Sequence, residues 1–152
     1  MEPFKLVAEG ANLTAAPASV LVTYLLPVGA AVTIVVPSDP AAQVTALPPG
    51  QLPPGAVPRF ESRMRLDSAP AGYRLGQMLR TYAPGAWSMS EMASSPRLLT
   101  VVSGEVHVLT GAIDKTYKAG ESWTEMPGAA WLSGNTEEAP AVVAVSVVAP
   151  AR

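Results

Sequence analysis

The sequence predicts an all-β protein with little helix, and three observations carry that reading. From Arg59 onward, short segments of alternating polar and apolar residues recur between Gly and Pro turn signals, the pattern of a β-sandwich or barrel. No stretch joins a 3.6-residue apolar period to helix start and stop signals, so no long amphipathic helix is expected. The chain has 152 residues, 49% apolar and 14% charged, which suits a single domain with a real core rather than a disordered segment.

Taken in order, the chain begins with an apolar run, Val20–Val36, whose length invites comparison with a membrane span or a signal-peptide core. Pro27 and Gly29 interrupt it, and Glu2, Lys5 and Glu9 do not make a positively charged leader. Two strands, 18–26 and 31–36, joined by a Pro-Val-Gly-Ala turn, fit better. With no targeting segment recognised, a soluble cytoplasmic protein is the expectation. Residues 37–58 are rich in proline and read as an extended linker in which neither helix nor paired strand is expected. Strands are then expected at 60–66, 73–82, 87–92, 97–102, 105–110, 115–118, 121–125, 130–132 and 142–148. The turns between them include Ser68-Ala-Pro-Ala-Gly72 and Ala83-Pro84-Gly85.

Composition removes whole classes of function. A net charge of −2 with scattered basic residues gives nucleic acid and anionic membranes nothing to bind. The chain has no cysteine and a single histidine, His107. That excludes disulfides, thiolate metal sites, Fe–S clusters, cysteine nucleophiles and any polyhistidine metal site from one chain. Gly50 and Gly55 lie among prolines rather than between a strand and a helix, so no phosphate-cradling loop is present. A nucleophile elbow and a paired-carboxylate glycosidase signature are likewise absent.

The stretch Gly85–Asn135 carries a more specific pattern. Gly85, five residues, positions 91, 93 and 97, and six more residues to Gly104 match the spacing G-x5-H-x-H-x3-4-E-x6-G. Gly120, five residues, Met126-Pro127-Gly128, two residues to position 131 and three more to Asn135 match G-x5-P-x-G-x2-H-x3-N. In this spacing the chain resembles the cupin superfamily, and the resemblance implies a cupin-type, jelly-roll-like β-barrel over 59–152. It also implies that 91, 93, 97 and 131 are the metal-ligand positions. Here they hold Glu91, Ala93, Arg97 and Trp131. Alanine offers no donor atom, an indole does not ligate a first-row metal, and a guanidinium repels a cation. No metal and no cofactor is therefore expected.

An internal repeat is also visible. Asn12 through Pro27 lies on Asn135 through Pro150 without a gap, sharing Asn, Ala-Pro-Ala, two valines and the final Pro. Under the resemblance, residues 1–36 are the closing strands of a partial cupin repeat, with Ala8 at its histidine position. Such strands need a sheet to join, in their own barrel or a neighbour's, so a homodimer is expected.

Ligand positions in this family point into the barrel. The resemblance therefore places Glu91, Arg97, Leu99 and Val101 inside, joined by Trp131 and, from equal strand parity, by Trp87 and Met89. Glu91 and Arg97 form a candidate acid–base or anion-orienting pair, and a structural ion pair in place of the metal is the competing reading. Trp131 is either an aromatic platform for a planar ligand or a plug. His107, the one group titrating near neutral pH, is a candidate base, although the face its strand turns to the cavity is open. Glu121 and Glu125 are expected at the surface. The candidate catalytic residues are thus Glu91, Arg97 and His107, and the candidate substrate-binding residues Trp87, Met89, Leu99, Val101 and Trp131. Two functions follow: a metal-independent protein binding a small, partly apolar organic molecule, with a cofactor-free isomerisation, cyclisation or dehydration open to it, or a non-catalytic binding or assembly domain with a plugged site.

Overall fold

The computed structural model describes residues 16, 20, 22, 23, 25, 33–35, 45–47, 62–66 and 72–151. The chain divides into two units, Met1–Pro58 and Arg59–Arg152. In the first, β1 (Thr33–Val35) pairs antiparallel with β2 (Thr45–Leu47). β1 falls within the expected strand 31–36. β2 corrects the expectation of an unpaired linker: residues 41–47 contain no proline, so three of them keep their ladder hydrogen bonds between Pro40 and Pro48. Val20, Val22, Thr23 and Leu25 belong to no strand, and the rest of 18–26, with most of the repeat at 12–27, lies outside the described residues.

The second unit consists of two four-stranded antiparallel sheets. One holds β3 (Tyr73–Tyr82), β10 (Ala141–Pro150), β5 (Arg97–Ser103) and β8 (Ser122–Glu125), in that order. The other holds β4 (Glu91–Met92), β9 (Ala130–Gly134), β6 (Glu105–Thr110) and β7 (Ile113–Lys118). β3 keeps the expected bounds, whereas the expected strand 87–92 contracts to β4. The expected strand 60–66 is not formed at 62–66. Its alternation reports an extended segment with Ser62, Met64 and Leu66 half-buried, and Ser62 Oγ lies 2.8 Å from Thr100 Oγ1. Among the described residues no helix is long and apolar enough to cross a membrane.

Alternation decides the core. Leu99 and Val101 of β5, Val143 and Val145 of β10, and Val106 and Val108 of β6 are all 1% exposed or less. Tyr82, Tyr117, Trp123 and Trp131 pack around them. Each such aliphatic side chain contributes about 1.5–3 kcal/mol on burial. The Tyr117 and Trp123 rings, 5.0 Å apart, join β7 of one sheet to β8 of the other.

Two motif residues have structural reasons of their own. Gly104 turns β5 into β6 at φ +76°, where a Cβ would lie 2.8 Å from Ala141 Cα and 2.9 Å from Pro140 O. Only glycine fits both the dihedral and the space. Asn135, fully buried, donates through Nδ2 to Tyr82 O and Ala139 O and accepts from Glu137 N–H. It ties the β9–β10 connection to the end of β3.

Candidate functional site

The charged residues inside this barrel form one connected cluster. Register sets Glu91 of β4 directly opposite Trp131 of β9, and Arg97 of β5 opposite Glu125 of β8. Arg80 and Tyr82 enter from β3, where they pair with Val143 and Ala141 of the core face. Arg97 Nη1 lies 3.1 Å from Glu91 Oε2 and 3.5 Å from Glu125 Oε2. Arg80 Nη2 reaches the same Glu91 Oε2 at 3.4 Å, while its Nη1 donates to Tyr82 OH at 3.2 Å. Tyr82 OH is 2.7 Å from Ser133 Oγ, and Trp123 Nε1 donates to Glu125 Oε1 at 3.2 Å.

The cluster is graded in depth. Side-chain exposure rises from 4% at Glu125 through 17% at Arg97 and 26% at Arg80 to 37% at Glu91. Protonation follows from it. Burial pushes the Glu125 carboxyl up, against the Trp123 hydrogen bond and the charges of Arg97 and Arg80. Partial burial also pushes Glu91 up, but the Arg97 hydrogen bond and the Arg80 charge outweigh it and hold that carboxyl below the ordinary glutamate range. Glu91 is accordingly the more acidic carboxyl of the cluster and Glu125 the less acidic.

Donors outnumber acceptors. Two guanidinium groups share one oxygen of Glu91, and the buried Trp131 Nε1–H has no hydrogen-bond partner among the described residues. An open groove of about 310 Å³ is lined by Arg74, Leu75, Gly76, Val147 and Ala149. Of these, Val147 pairs across the ladder with Arg97.

The structure brings Glu91, Arg97 and Trp131 together and sets Leu99 and Val101 beneath them as core. Trp87 and Met89 do not join them. The 87–92 segment is not one continuous strand: Trp87 makes an isolated bridge to Gly134, β4 begins only at Glu91, and the parity count breaks in between. Met89 is 84% exposed. Trp87 covers Gly134, where a Cβ would lie 2.7 Å from its Cγ, and its ring stands edge-on to His107 at 5.9 Å. His107 faces away from the cluster because Val106 and Val108 take the inner face. It bonds Thr116 Oγ1 through Nδ1 at 2.9 Å and Asp114 through Nε2 at 3.0 Å.

Sequence reasoning does not reach Arg80, Tyr82, Ser133 or Glu125. Glu125, expected at the surface, is 3% exposed; Glu121, its partner in that expectation, is exposed. The available signal was the parity of Trp123 with Glu125 and of Arg80 with Tyr82, each an aromatic and a charged residue two positions apart.

The strand order places the first barrel strand beside the last and pairs the two motif segments side by side, β4 with β9 and β5 with β8, as in a jelly roll. The barrel is all-β with a jelly-roll-like strand order, the arrangement the cupin resemblance implies. No protein-family model and no curated protein matches the chain. Similar solved structures include the TT1209 protein of Thermus thermophilus, 26% identical, with a TM-score of 0.44 over 47% of this chain and 69% of that one. A double-stranded β-helix protein of Klebsiella pneumoniae is 24% identical, with a TM-score of 0.45 over 59% of this chain and 91% of that one. The Cupin_2 domain of an XRE family transcriptional regulator from Enterobacter cloacae is 18% identical, with a TM-score of 0.44 over 51% and 83%.

The four positions that the resemblance marks as metal ligands do not fit a metal. The one carboxylate among them, Glu91, is engaged by two guanidinium groups, and Arg97 sets a positive charge where a cation would sit. Among the described residues no three His, Asp or Glu side chains are grouped to hold one.

Proposed function

We propose that this cupin barrel binds a small, partly apolar organic molecule at its open end. The polar end of the ligand meets Arg80 and Arg97, and its apolar body lies in the groove that Val147 lines. The observation that carries the reading is the donor surplus of the cluster: two arginines on one carboxylate oxygen, with the Trp131 indole N–H left over, and Arg97 paired across the ladder with Val147 of the groove wall. A few convergent polar groups beside an apolar wall are how small-molecule sites are built, and about 310 Å³ suits a small ligand.

Any chemistry there is metal-independent proton transfer, as in an isomerisation, cyclisation or dehydration. Glu125 rather than Glu91 is the group to hold and pass the proton, since Arg97 and Arg80 keep Glu91 ionised. A purely structural reading has one observation in its favour: two arginines balance two glutamates, a complete ion-pair cluster over a packed core. A fragment screen read on the Trp131 indole resonance separates the two. Fragments that move this resonance in the wild type and not in Arg97→Met support a site. A folded protein whose Trp131 resonance no fragment moves has a plug.

A further inference from the structure

We infer that the ligand is a carboxylate and that Glu91 keeps its place when the site is empty. This rests on the reading of the barrel mouth as a small-molecule site and adds the chemical class of what it binds.

Glu91 is the most exposed member of the cluster and the least firmly held. It stands on a two-residue strand attached to one neighbour, through Glu91–Trp131 and Met92–Ala130. Met89, Ser90 and Met92 around it are exposed, so turning its carboxylate out to water displaces little. Arg80, Arg97 and Glu125 are all deeper and mutually braced by Tyr82, Trp123 and the ladder. The departure of Glu91 would leave Arg80 and Arg97 with only the buried Glu125 beside them among the described carboxylates, a net positive charge. A carboxylate answers that charge, whereas a neutral amide leaves it unanswered. A planar carboxylate also matches the geometry of a guanidinium fork.

The Trp131 indole supplies an independent argument. It lies directly across from Glu91 on the same face, it is 8% exposed, and its N–H has no acceptor among the described residues. A buried donor left unpaired costs about 1–3 kcal/mol. Glu91 in its present position does not satisfy it. A ligand bringing a second acceptor beyond the carboxylate oxygen on the arginines would do so.

The test uses benzoate, phenylacetate and cinnamate, each beside its primary amide. The Trp131 indole ¹H–¹⁵N resonance is the readout, assigned with Trp131→Phe, in wild type, Glu91→Gln and Glu91→Ala. If Glu91 fills the site about nine-tenths of the time, removing its charge should tighten carboxylate binding about tenfold. The acids should then outbind their amides by at least about tenfold in both variants. Acids and amides that bind equally, or acids that bind the variants no more tightly than the wild type, overturn the carboxylate assignment and leave a small-molecule site standing. If no compound moves the Trp131 resonance in any of the folded proteins, the assignment and the site fall together.

Discussion

Arg97→Met tests the interior cluster most directly, because Arg97 is the one cation that touches both carboxylates. Methionine keeps much of the apolar stem and removes the charge. At 3.5 Å and an effective dielectric near 20, the attraction between Arg97 and Glu125 is about 5 kcal/mol before desolvation is counted. Removing one partner of a buried pair typically costs about 3–5 kcal/mol. Two features reduce that here: Glu125 keeps its hydrogen bond from Trp123, and its carboxyl, already pushed up by burial, can escape by taking a proton. The expected loss is about 2–3 kcal/mol at about pH 7 and smaller near pH 5, because burial without the Arg97 charge raises the Glu125 carboxyl further and favours its protonation. Urea unfolding followed by tryptophan fluorescence at both pH values measures it. Arg97→Met/Glu125→Gln should recover at least half of the neutral-pH loss, since no buried charge is then left unpaired. An equal loss at both pH values, or no recovery in the double variant, would refute the account of Glu125 as a buried carboxylate held by Arg97.

Gly104→Ala should cost about 3 kcal/mol or more, read as a lowered urea midpoint, because the added methyl meets the Ala141 backbone and the residue is forced to hold φ +76°. Glu91, whose folded carboxyl lies below the ordinary value of 4.5, contributes stability present above that value and lost as pH falls through its folded one. Because its side chain is 37% exposed, the contribution is about 0.5 kcal/mol, and Glu91→Gln should flatten the acid side of a stability–pH curve by that amount. Glu125 runs the other way: with its folded carboxyl raised, its contribution is complete below 4.5 and lost as pH rises through the folded value, so Glu125→Gln should narrow the fall in urea midpoint between about pH 4.5 and pH 7. Zinc, manganese or nickel added at about ten equivalents should leave the thermal midpoint unchanged, and a midpoint that rises with metal concentration would overturn the reading of 91, 93, 97 and 131 as a position hostile to cations.

The primary sequence determined the all-β class, the span of β3 and the spacing of the two cupin motifs, because strand alternation and glycine turns are local properties of the chain. Through the resemblance it also marked positions 91, 93, 97 and 131, where Glu, Ala, Arg and Trp do not make a metal-ligand set. Glu91 and Arg97 were legible as a pair on the same grounds. Trp87 was not, because its inward placement assumed unbroken parity across 87–93, and a chain that leaves the ladder between Trp87 and Glu91 no longer counts by twos. Only the tertiary structure decided that His107 turns outward, since Val106 and Val108 claim the core through contacts far away in sequence. Only the pairing of β5 with β8 could bring Glu125 to Arg97, and only β3 lying beside β10 could deliver Arg80. Register between distant strands is set by how whole faces bury against one another, and no local pattern carries it.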